Sequence, residues 1–424
     1  MKQILLLILG ILLIGCKQKT THTNEFSSHS DRIELTTKKI KGNSLFPAGA
    51  VPIYFNDTLD HYEYPVIFPE DLTEIKLATQ HVDIKPFQFE NLKKDNSDYL
   101  KVFLKENYPS HIDTLNLPPV KDNSICMMTG KRGTERIFII DENNNKDFRD
   151  DAIRKLGKMD WETTDQLIKS KYKIFDGEKM KTDSTWVNIG KLKNKILFSV
   201  SHHLVSTFSI DTNKYQIGIV DRHSNFGFDR PILALLSENG VKKDSLPKSE
   251  LLNKGEYLKL GSDYYKFENI SNDGEKINLI KQKDVSHLVG TQVGFIAPKF
   301  TTQTIDSSTV SLDDYKGEYL VLANLTACYS AISTYQHYKE MTESFQGKIS
   351  FIGIDNSTQS LPVNIKNLNL SGKFIFAELN NDEIQKHYRQ DFSSRTCFLI
   401  DKEGHIQDKF EISDWKQSLT RIIK

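Results

Sequence analysis

The chain has 424 residues, 56 basic and 56 acidic side chains, and 38% hydrophobic residues. This length predicts two or three domains. The zero net charge argues against binding to nucleic acid, because such a surface needs an excess of basic residues. No apolar run beyond the amino terminus approaches the roughly 18 residues of a membrane-spanning helix.

Residues 1–16 have the pattern of a bacterial export signal. Lys2 supplies a positive charge, and the apolar run at 4–14 is too short to span a bilayer. The run ends in Leu13-Ile14-Gly15-Cys16, which resembles the lipobox of bacterial lipoproteins, whose cysteine receives diacylglycerol. The alternative is an ordinary cleaved signal followed by a chance cysteine. We predict lipidation at Cys16.

Residues 17–31 are polar and lack apolar periodicity, which predicts a flexible tether. A lipid on Cys16 makes the membrane the first partner and places the protein outside the cytoplasm. Lys17 and Gln18 are not acidic, so we see no signal for surface export. We therefore expect the anchor in the outer membrane, with the protein facing the periplasm.

Residues 32–284 contain short apolar or alternating runs separated by polar turns, which predicts a mostly-β region. The polar cluster at 271–274 predicts a hairpin before the strand at 276–280. A helix is predicted around Asp150 to Leu156. His202 and His203 are neighbours in an alternating run, so we expect one to be packed and the other solvated. The sequence assigns this region no chemistry.

Asp141, Asn143 and Asn145 place side-chain oxygens at alternate positions, as calcium loops do. A related pattern begins at Asp221, 80 residues later (221 − 141). However, Ala152 occupies the twelfth position, where an EF-hand has glutamate, and Asp and Asn also favour tight turns. We favour structural turns and keep calcium as the alternative. No other metal and no cofactor is predicted.

The last part of the chain, residues 289–424, alternates strand-like and helix-like segments, which predicts an α/β fold. Its motifs are Ala297-Pro298-Lys299-Phe300, Val310 to Gly317, a strand at 319–325, a helix through Phe345, a strand at 349–354, Phe398-Leu399-Ile400-Asp401 and a final helix near 415–423. This order resembles the redoxin branch of the thioredoxin superfamily, in particular the TlpA-like membrane-anchored thiol-disulfide reductases. Loops like the one at Asp141 also resemble those of β-rich regions in Bacteroidetes lipoproteins.

The family's Trp-Cys-x-x-Cys motif is incomplete in this chain, which has the segment 324–333 at the junction of strand and helix. Aligning Asn324 with the polar residue that often ends the family's strand puts Ser330 and Ser333 at both cysteine positions. Aligning the helix puts Cys328 at the first position and Ala331 at the second.

The helix favours the second alignment, because apolar residues follow Ala331 at helical spacing. They are Tyr335, Tyr338, Met341 and Phe345. This alignment leaves one thiol, in Cys328-Tyr329-Ser330-Ala331, at a helix amino terminus, where a thiol pKa is lowered.

The resemblance also implies a substrate groove formed by Ala331, Arg395 and Thr396. Arg395 stands where the family has a cis-proline, and we expect a trans bond there, since a cis bond before a non-proline residue costs about 3 kcal/mol. Cys397 lies two residues further along the same strand. It is a candidate resolving thiol, and the alternative is an ordinary buried apolar residue.

Two functions follow from these features. The protein is a thiol-disulfide oxidoreductase that uses Cys328 on thiol-containing or peptide partner proteins, or it is a non-catalytic binding or adapter module. A peroxiredoxin is disfavoured, because no Pro-x-x-x-Thr-x-x-Cys motif surrounds Cys328.

Replacing the predicted lipid-bearing cysteine should release the protein from the membrane. In Cys16→Ser, palmitate labelling should vanish and the protein should leave the membrane fraction, whereas Cys126→Ala should behave as wild type. Unchanged labelling of Cys16→Ser would contradict the lipobox assignment.

Overall fold

The computed structural model describes residues 24–423 apart from 28, 57–65, 83–123, 163, 177–178, 222–225, 229, 327–331, 378–382 and 390–394. The predictions made for Cys16, Cys328 and Ala331 therefore lie outside the described residues. In the described ranges, no helix has both the length and the apolar character needed to cross a bilayer.

The amino-terminal region up to residue 281 is built from strands, as predicted. Their bounds are β1 Asn24–Phe26, β2 Arg32–Thr36, β3 Lys38–Lys41, β4 Val51–Ile53, β5 Thr73–His81, β6 Ser124–Arg132, β7 Glu135–Ile140, β8 Ile168–Phe175, β9 Met180–Leu192, β10 Lys195–Val200, β11 His202–Ile210, β12 Asn213–Asp221, β13 Pro231–Glu238, β14 Val241–Lys242, β15 Leu252–Asn253, β16 Tyr257–Leu260, β17 Asp263–Ile270 and β18 Lys276–Lys281.

These strands pair into four sheets. Strands β1, β11, β12, β13 and β14 form the path of a seven-stranded sheet, which β3 and β15 join at its sides. Two four-stranded sheets have the orders β4-β10-β9-β8 and β16-β17-β18-β2, and a three-stranded sheet has the order β5-β6-β7. Buried side chains of β2, β17 and β18 pack against those of β11 and β12 in one shared core, so two of the sheets form a sandwich.

Strand β2 shows why the sequence folds this way. Ile33 and Leu35 are fully buried, and they alternate with the exposed Arg32 and Glu34. A period of two places one set of side chains in the core and the other in water. The predicted hairpin at 271–274 is confirmed, because it joins β17 to β18 in antiparallel pairing.

Three predictions for this region need correction. The helix expected around 150–156 is wrong, since Arg154 instead pairs with Phe138 through two backbone hydrogen bonds. The prediction that one histidine of the pair is solvated is also wrong. His202 and His203 are 5% and 6% exposed, because His202 Nδ1 hydrogen-bonds Thr185 of β9 at 2.6 Å and His203 Nδ1 hydrogen-bonds the Gly42 carbonyl at 2.6 Å. The third correction concerns the flexible tether expected at residues 17–31. Within it, Asn24–Phe26 forms a strand parallel to β11, with the Phe26 ring against Phe208.

The carboxyl-terminal domain has a central five-stranded sheet. The strands and helices of the domain are β19 Thr301–Gln303, β20 Thr309–Ser311, β21 Tyr319–Asn324, α1 Ile332–Ser344, β22 Ile349–Asp355, α2 Ser360–Leu368, β23 Lys373–Phe376, β24 Thr396–Ile400, β25 Ile406–Glu411 and α3 Trp415–Ile422. The sheet order is β23-β22-β21-β24-β25, in which β21, β22 and β23 are mutually parallel and β24 and β25 are antiparallel to their neighbours.

Both faces of this sheet are covered. Side chains of α1, α2 and α3 pack with one face in a core that includes Tyr335, Tyr338 and Trp415. The opposite face packs with Phe300, Val310 and the short helix Ile384–Tyr388. The expected α/β thioredoxin-like arrangement is confirmed by this strand order and layering.

Gly372, which precedes β23, has φ +104°, and a Cβ there would lie 2.7 Å from the Tyr338 hydroxyl oxygen and 3.0 Å from the Phe351 carbonyl oxygen. Gly404 has φ +89° with nothing within 4 Å, so it is a matched control. We expect Gly404→Ala to cost about 1 kcal/mol of backbone strain. Gly372→Ala should cost about 1–3 kcal/mol more from overpacking. Thermal unfolding followed by circular dichroism measures both, and equal losses would contradict the packing assignment.

Candidate functional site

The candidate site lies at the edge of the sheet where the parallel strands β21 and β22 end. Asn324 is the last residue of β21 and Asp355 the last of β22. Because the strands are parallel, both residues reach the same edge. Asn324 is 3% exposed and Asp355 is 0% exposed, so polar side chains are buried directly at this junction.

The Asn324 side chain connects three segments of the domain. Its Nδ2 donates hydrogen bonds to the backbone oxygens of Tyr388, at 2.9 Å, and Thr396, at 2.8 Å. Its Oδ1 accepts a hydrogen bond from Arg389 Nη1 at 3.3 Å. The Arg389 side chain is buried, with 2% exposure, so a cation lies next to the end of β21.

Asp355 forms a second buried polar group at this edge. The Tyr335 hydroxyl donates to Asp355 Oδ2, and the Ser357 backbone N–H donates to Oδ1 at 2.7 Å. Burial raises the pKa of Asp355, although these hydrogen bonds and the nearby Arg389 charge oppose the shift. Thr326 Oγ1, also buried, accepts the Asn356 N–H at 3.2 Å and joins the two strand ends.

The helix α1 has the buried face that the sequence predicts. Tyr335, Tyr338 and Met341 are fully buried, and Ser333 is exposed. This burial agrees with the helical spacing on which the alignment with Cys328 and Ala331 was based. Asn324, however, does end its strand, as the alternative alignment with Ser330 and Ser333 supposes. Each alignment thus retains one structural observation in its favour.

Arg395 and Thr396 lie at the start of β24, beside the Asn324 cluster. Thr396 is 5% exposed and its carbonyl is held by Asn324. Arg395 is partly buried, and its backbone N–H donates to Glu411 Oε1 at 2.9 Å. The bond before Arg395 joins it to Ser394, which lies outside the described residues.

Cys397 is fully buried in the core beneath α1, opposite Ala323 of β21. Burial raises the pKa of its thiol well above the ordinary value. The structure therefore places Cys397 among apolar side chains and keeps its thiol protonated at neutral pH. Its proposed role toward Cys328 stays a prediction.

The loop at Asp141 uses its oxygens within the turn. Asp141 is fully buried, and its two oxygens accept the Asn145 and Lys146 backbone N–H groups at 3.0 and 2.9 Å. Asn143 Oδ1 and Asn145 Oδ1 accept the N–H groups two residues onward, at 3.0 and 2.8 Å. Across the described ranges, no three His, Cys, Asp or Glu side chains are grouped as metal ligands.

Sequence reasoning missed Arg389 and the polar role of Asp355. The sequence did contain a signal for Asp355, because it directly follows a predicted strand. Polar residues at the ends of parallel strands meet at one edge of a sheet. Arg389 had no such signal, since it follows a short helix whose position only the folded chain reveals.

We expect the Asn324 amide to be a main stabilising contact of this edge. Asn324→Ala leaves the Tyr388 and Thr396 carbonyls without their donor, which should cost about 2–4 kcal/mol of unfolding free energy. Asn278→Ala is the matched control, because Asn278 Nδ2 bonds Asn269 at 2.8 Å on the exposed surface. Asn278→Ala should lower the unfolding free energy by less than about 0.5 kcal/mol in urea unfolding. Equal losses of unfolding free energy in the two variants would contradict the role of Asn324 as a main stabilising contact.

Comparisons with known proteins match the carboxyl-terminal part of the chain. Residues 293–409 match the model of the AhpC/TSA family. The thioredoxin domain of a thiol-disulfide oxidoreductase from Bacteroides vulgatus is 17% identical, with a TM-score of 0.27, covering 31% of this chain and 98% of that chain. A thiol:disulfide interchange protein from a Bacteroides species is 16% identical, with a TM-score of 0.27, covering 33% and 93% of the two chains.

The mitochondrial 2-cys peroxiredoxin of Plasmodium falciparum is 17% identical, with a TM-score of 0.26, covering 31% of this chain and 94% of that one. A search of curated proteins returns no match. The family match and the observed sheet order agree on the same part of the chain. Residues 293–409 therefore have a thioredoxin-like fold and match the AhpC/TSA family model.

Proposed function

We propose that the protein is a membrane-anchored, extracytoplasmic lipoprotein whose thioredoxin-like domain exchanges disulfides through the single thiol of Cys328. The observation that carries this proposal is the buried Arg389 cation, which bonds Asn324 at the start of the segment containing Cys328. A nearby cation favours a thiolate over a thiol, and the thiolate is the nucleophile.

The helix α1 supports the same chemistry. It is 13 residues long and is described from Ile332, four residues after Cys328 (332 − 328). The amino-terminal N–H groups of a helix and its dipole stabilise negative charge nearby. A thiol close to this end is therefore expected to ionise below its ordinary pKa.

The reaction proceeds in two exchanges. The Cys328 thiolate attacks one sulfur of a partner disulfide, which forms a mixed disulfide and releases the second sulfur as a thiolate that takes a proton. An external thiolate then attacks the partner's sulfur in the mixed disulfide. This step frees Cys328 as thiolate and leaves the attacking thiol oxidised, joined to the partner, until a second thiol reduces it.

An external thiol is proposed for the second exchange because of the burial of Cys397. Its thiol lies in the apolar core, and burial raises its pKa, so it is a poor nucleophile in the described conformation. Cys397 as the resolving thiol requires that core to open. No other described cysteine competes, since Cys126 is buried in the β region.

A second candidate function is a non-catalytic binding or adapter module. It is favoured by the position of Asn324 at the end of β21, because the alignment on this residue replaces both family cysteines by Ser330 and Ser333. In that case the groove near Arg395 docks a peptide without exchanging disulfides. Periplasmic orientation on the outer membrane belongs to both proposals, and protease shaving of intact cells tests it.

The thiol proposal predicts that one cysteine carries the activity. In a disulfide-reduction assay with glutathione, the soluble chain beginning at Lys17 should exceed background, and Cys328→Ser should lower the catalysed rate by about tenfold or more. Cys126→Ala is the control for a buried thiol and should keep the rate. Equal rates for wild type and Cys328→Ser would favour the binding module.

A further inference from the structure

The acidic residue Glu411 joins the two parts of the chain next to the candidate groove. It is the last residue of β25, and its Oε2 forms an ion pair with Lys248 Nζ. Lys248 belongs to the short helix Lys248–Glu250 of the amino-terminal β region. The two residues are 163 positions apart, so this contact exists only in the folded chain.

The other carboxylate oxygen of Glu411 contacts the backbone of the candidate groove. Oε1 accepts the Arg395 backbone N–H at 2.9 Å. On the other side of the same residue, the Arg395 carbonyl accepts the Ile412 N–H at 3.0 Å. One carboxylate therefore connects a lysine of the β region to the backbone of the residue that replaces the family proline.

This ion pair belongs to a larger interface along the edge strand β25. Glu256 of the β region is 5% exposed, and its Oε1 accepts Lys409 Nζ at 3.4 Å and Thr291 Oγ1 at 3.0 Å. The Phe295 ring meets the rings of Tyr257 and Tyr264 edge-on, with centroids at 5.3 and 5.5 Å. These packed contacts hold Lys248 in place against Glu411.

We propose that Glu411 is a positioning residue through which the amino-terminal β region sets the backbone at Arg395 and so the shape of the substrate groove. The Lys248 cation fixes the direction of the Glu411 carboxylate. Without it, the carboxylate is free to turn away from β24, and the Arg395 N–H loses its acceptor. Only the consequence for turnover rests on the proposed function; the backbone coupling does not.

The test compares amide hydrogen exchange in the peptide that contains Arg395, measured by mass spectrometry on the chain beginning at Lys17. Lys248→Met breaks the ion pair and keeps the carboxylate, and Glu411→Ala removes the acceptor. We expect exchange at this amide to rise about threefold in Lys248→Met, as for a partly exposed ion pair. The rise should be larger in Glu411→Ala than in Lys248→Met. The double variant Lys248→Met with Glu411→Ala should exchange no faster than Glu411→Ala alone.

Lys243→Met is the matched control, because Lys243 forms a similar ion pair with Glu250 inside the β region. It should leave exchange at Arg395 unchanged. The inference would be overturned if Arg395 exchanged in Glu411→Ala at the wild-type rate. It would also be overturned if Lys243→Met raised exchange at Arg395 as much as Lys248→Met does.

The reversed pair, Lys248→Glu with Glu411→Lys, separates positioning from simple docking. It restores the attraction between the two parts but supplies no acceptor for the Arg395 N–H, so exchange should stay fast. Recovery of wild-type exchange would overturn the role of the carboxylate. If the protein reduces disulfides, Lys248→Met should raise KM about threefold with kcat nearly unchanged. If the wild-type protein has no such activity, only the proposed function is contradicted, and the exchange measurements still test the role of Glu411.

Discussion

The side-chain amide of Asn324 is the contact on which the candidate site depends. It donates to two backbone carbonyls from different segments, Tyr388 and Thr396, and accepts from Arg389. In water these groups would bond to solvent, but here they are buried and bond to this side chain. The end of β21, the start of β24 and the short helix before Arg389 are thereby held in one arrangement.

This arrangement determines what the edge of the sheet can do chemically. The buried cation of Arg389 and the carboxyl group of Asp355 are close enough to influence each other, as the opposing effects on the Asp355 pKa show. Burying charge is costly unless it is paired or hydrogen-bonded. The hydrogen bonds from Arg389 to Asn324 and from Tyr335 to Asp355 meet this requirement at the ends of β21 and β22.

The amino-terminal β region contributes to the same edge from outside the redoxin domain. Lys248 and Glu256 reach the strand β25, and Glu411 relays the contact of Lys248 to Arg395. An isolated redoxin domain would leave β25 as an open edge with its charged side chains in water. Glu411 therefore contacts both the β region and the backbone at the start of β24.

The sequence alone determined the order of elements and the face of α1. Alternation with period two predicted strands such as β2, and helical spacing predicted burial of Tyr335 and Tyr338. These patterns depend on neighbours along the chain, which the sequence displays. The incomplete cysteine motif was also visible in the sequence, and so was its ambiguity.

Only the tertiary structure decided the features that depend on contacts between distant residues. The segment at 150–156 is not helical, because Arg154 pairs with Phe138 of another strand. Both histidines of β11 are buried, since one bonds Thr185 of β9 and the other bonds Gly42. Lys248 meets Glu411 across 163 positions, and no periodicity along a chain encodes such a contact. Local patterns predict which residues are buried, whereas the packing of separate elements decides what each buried polar group meets.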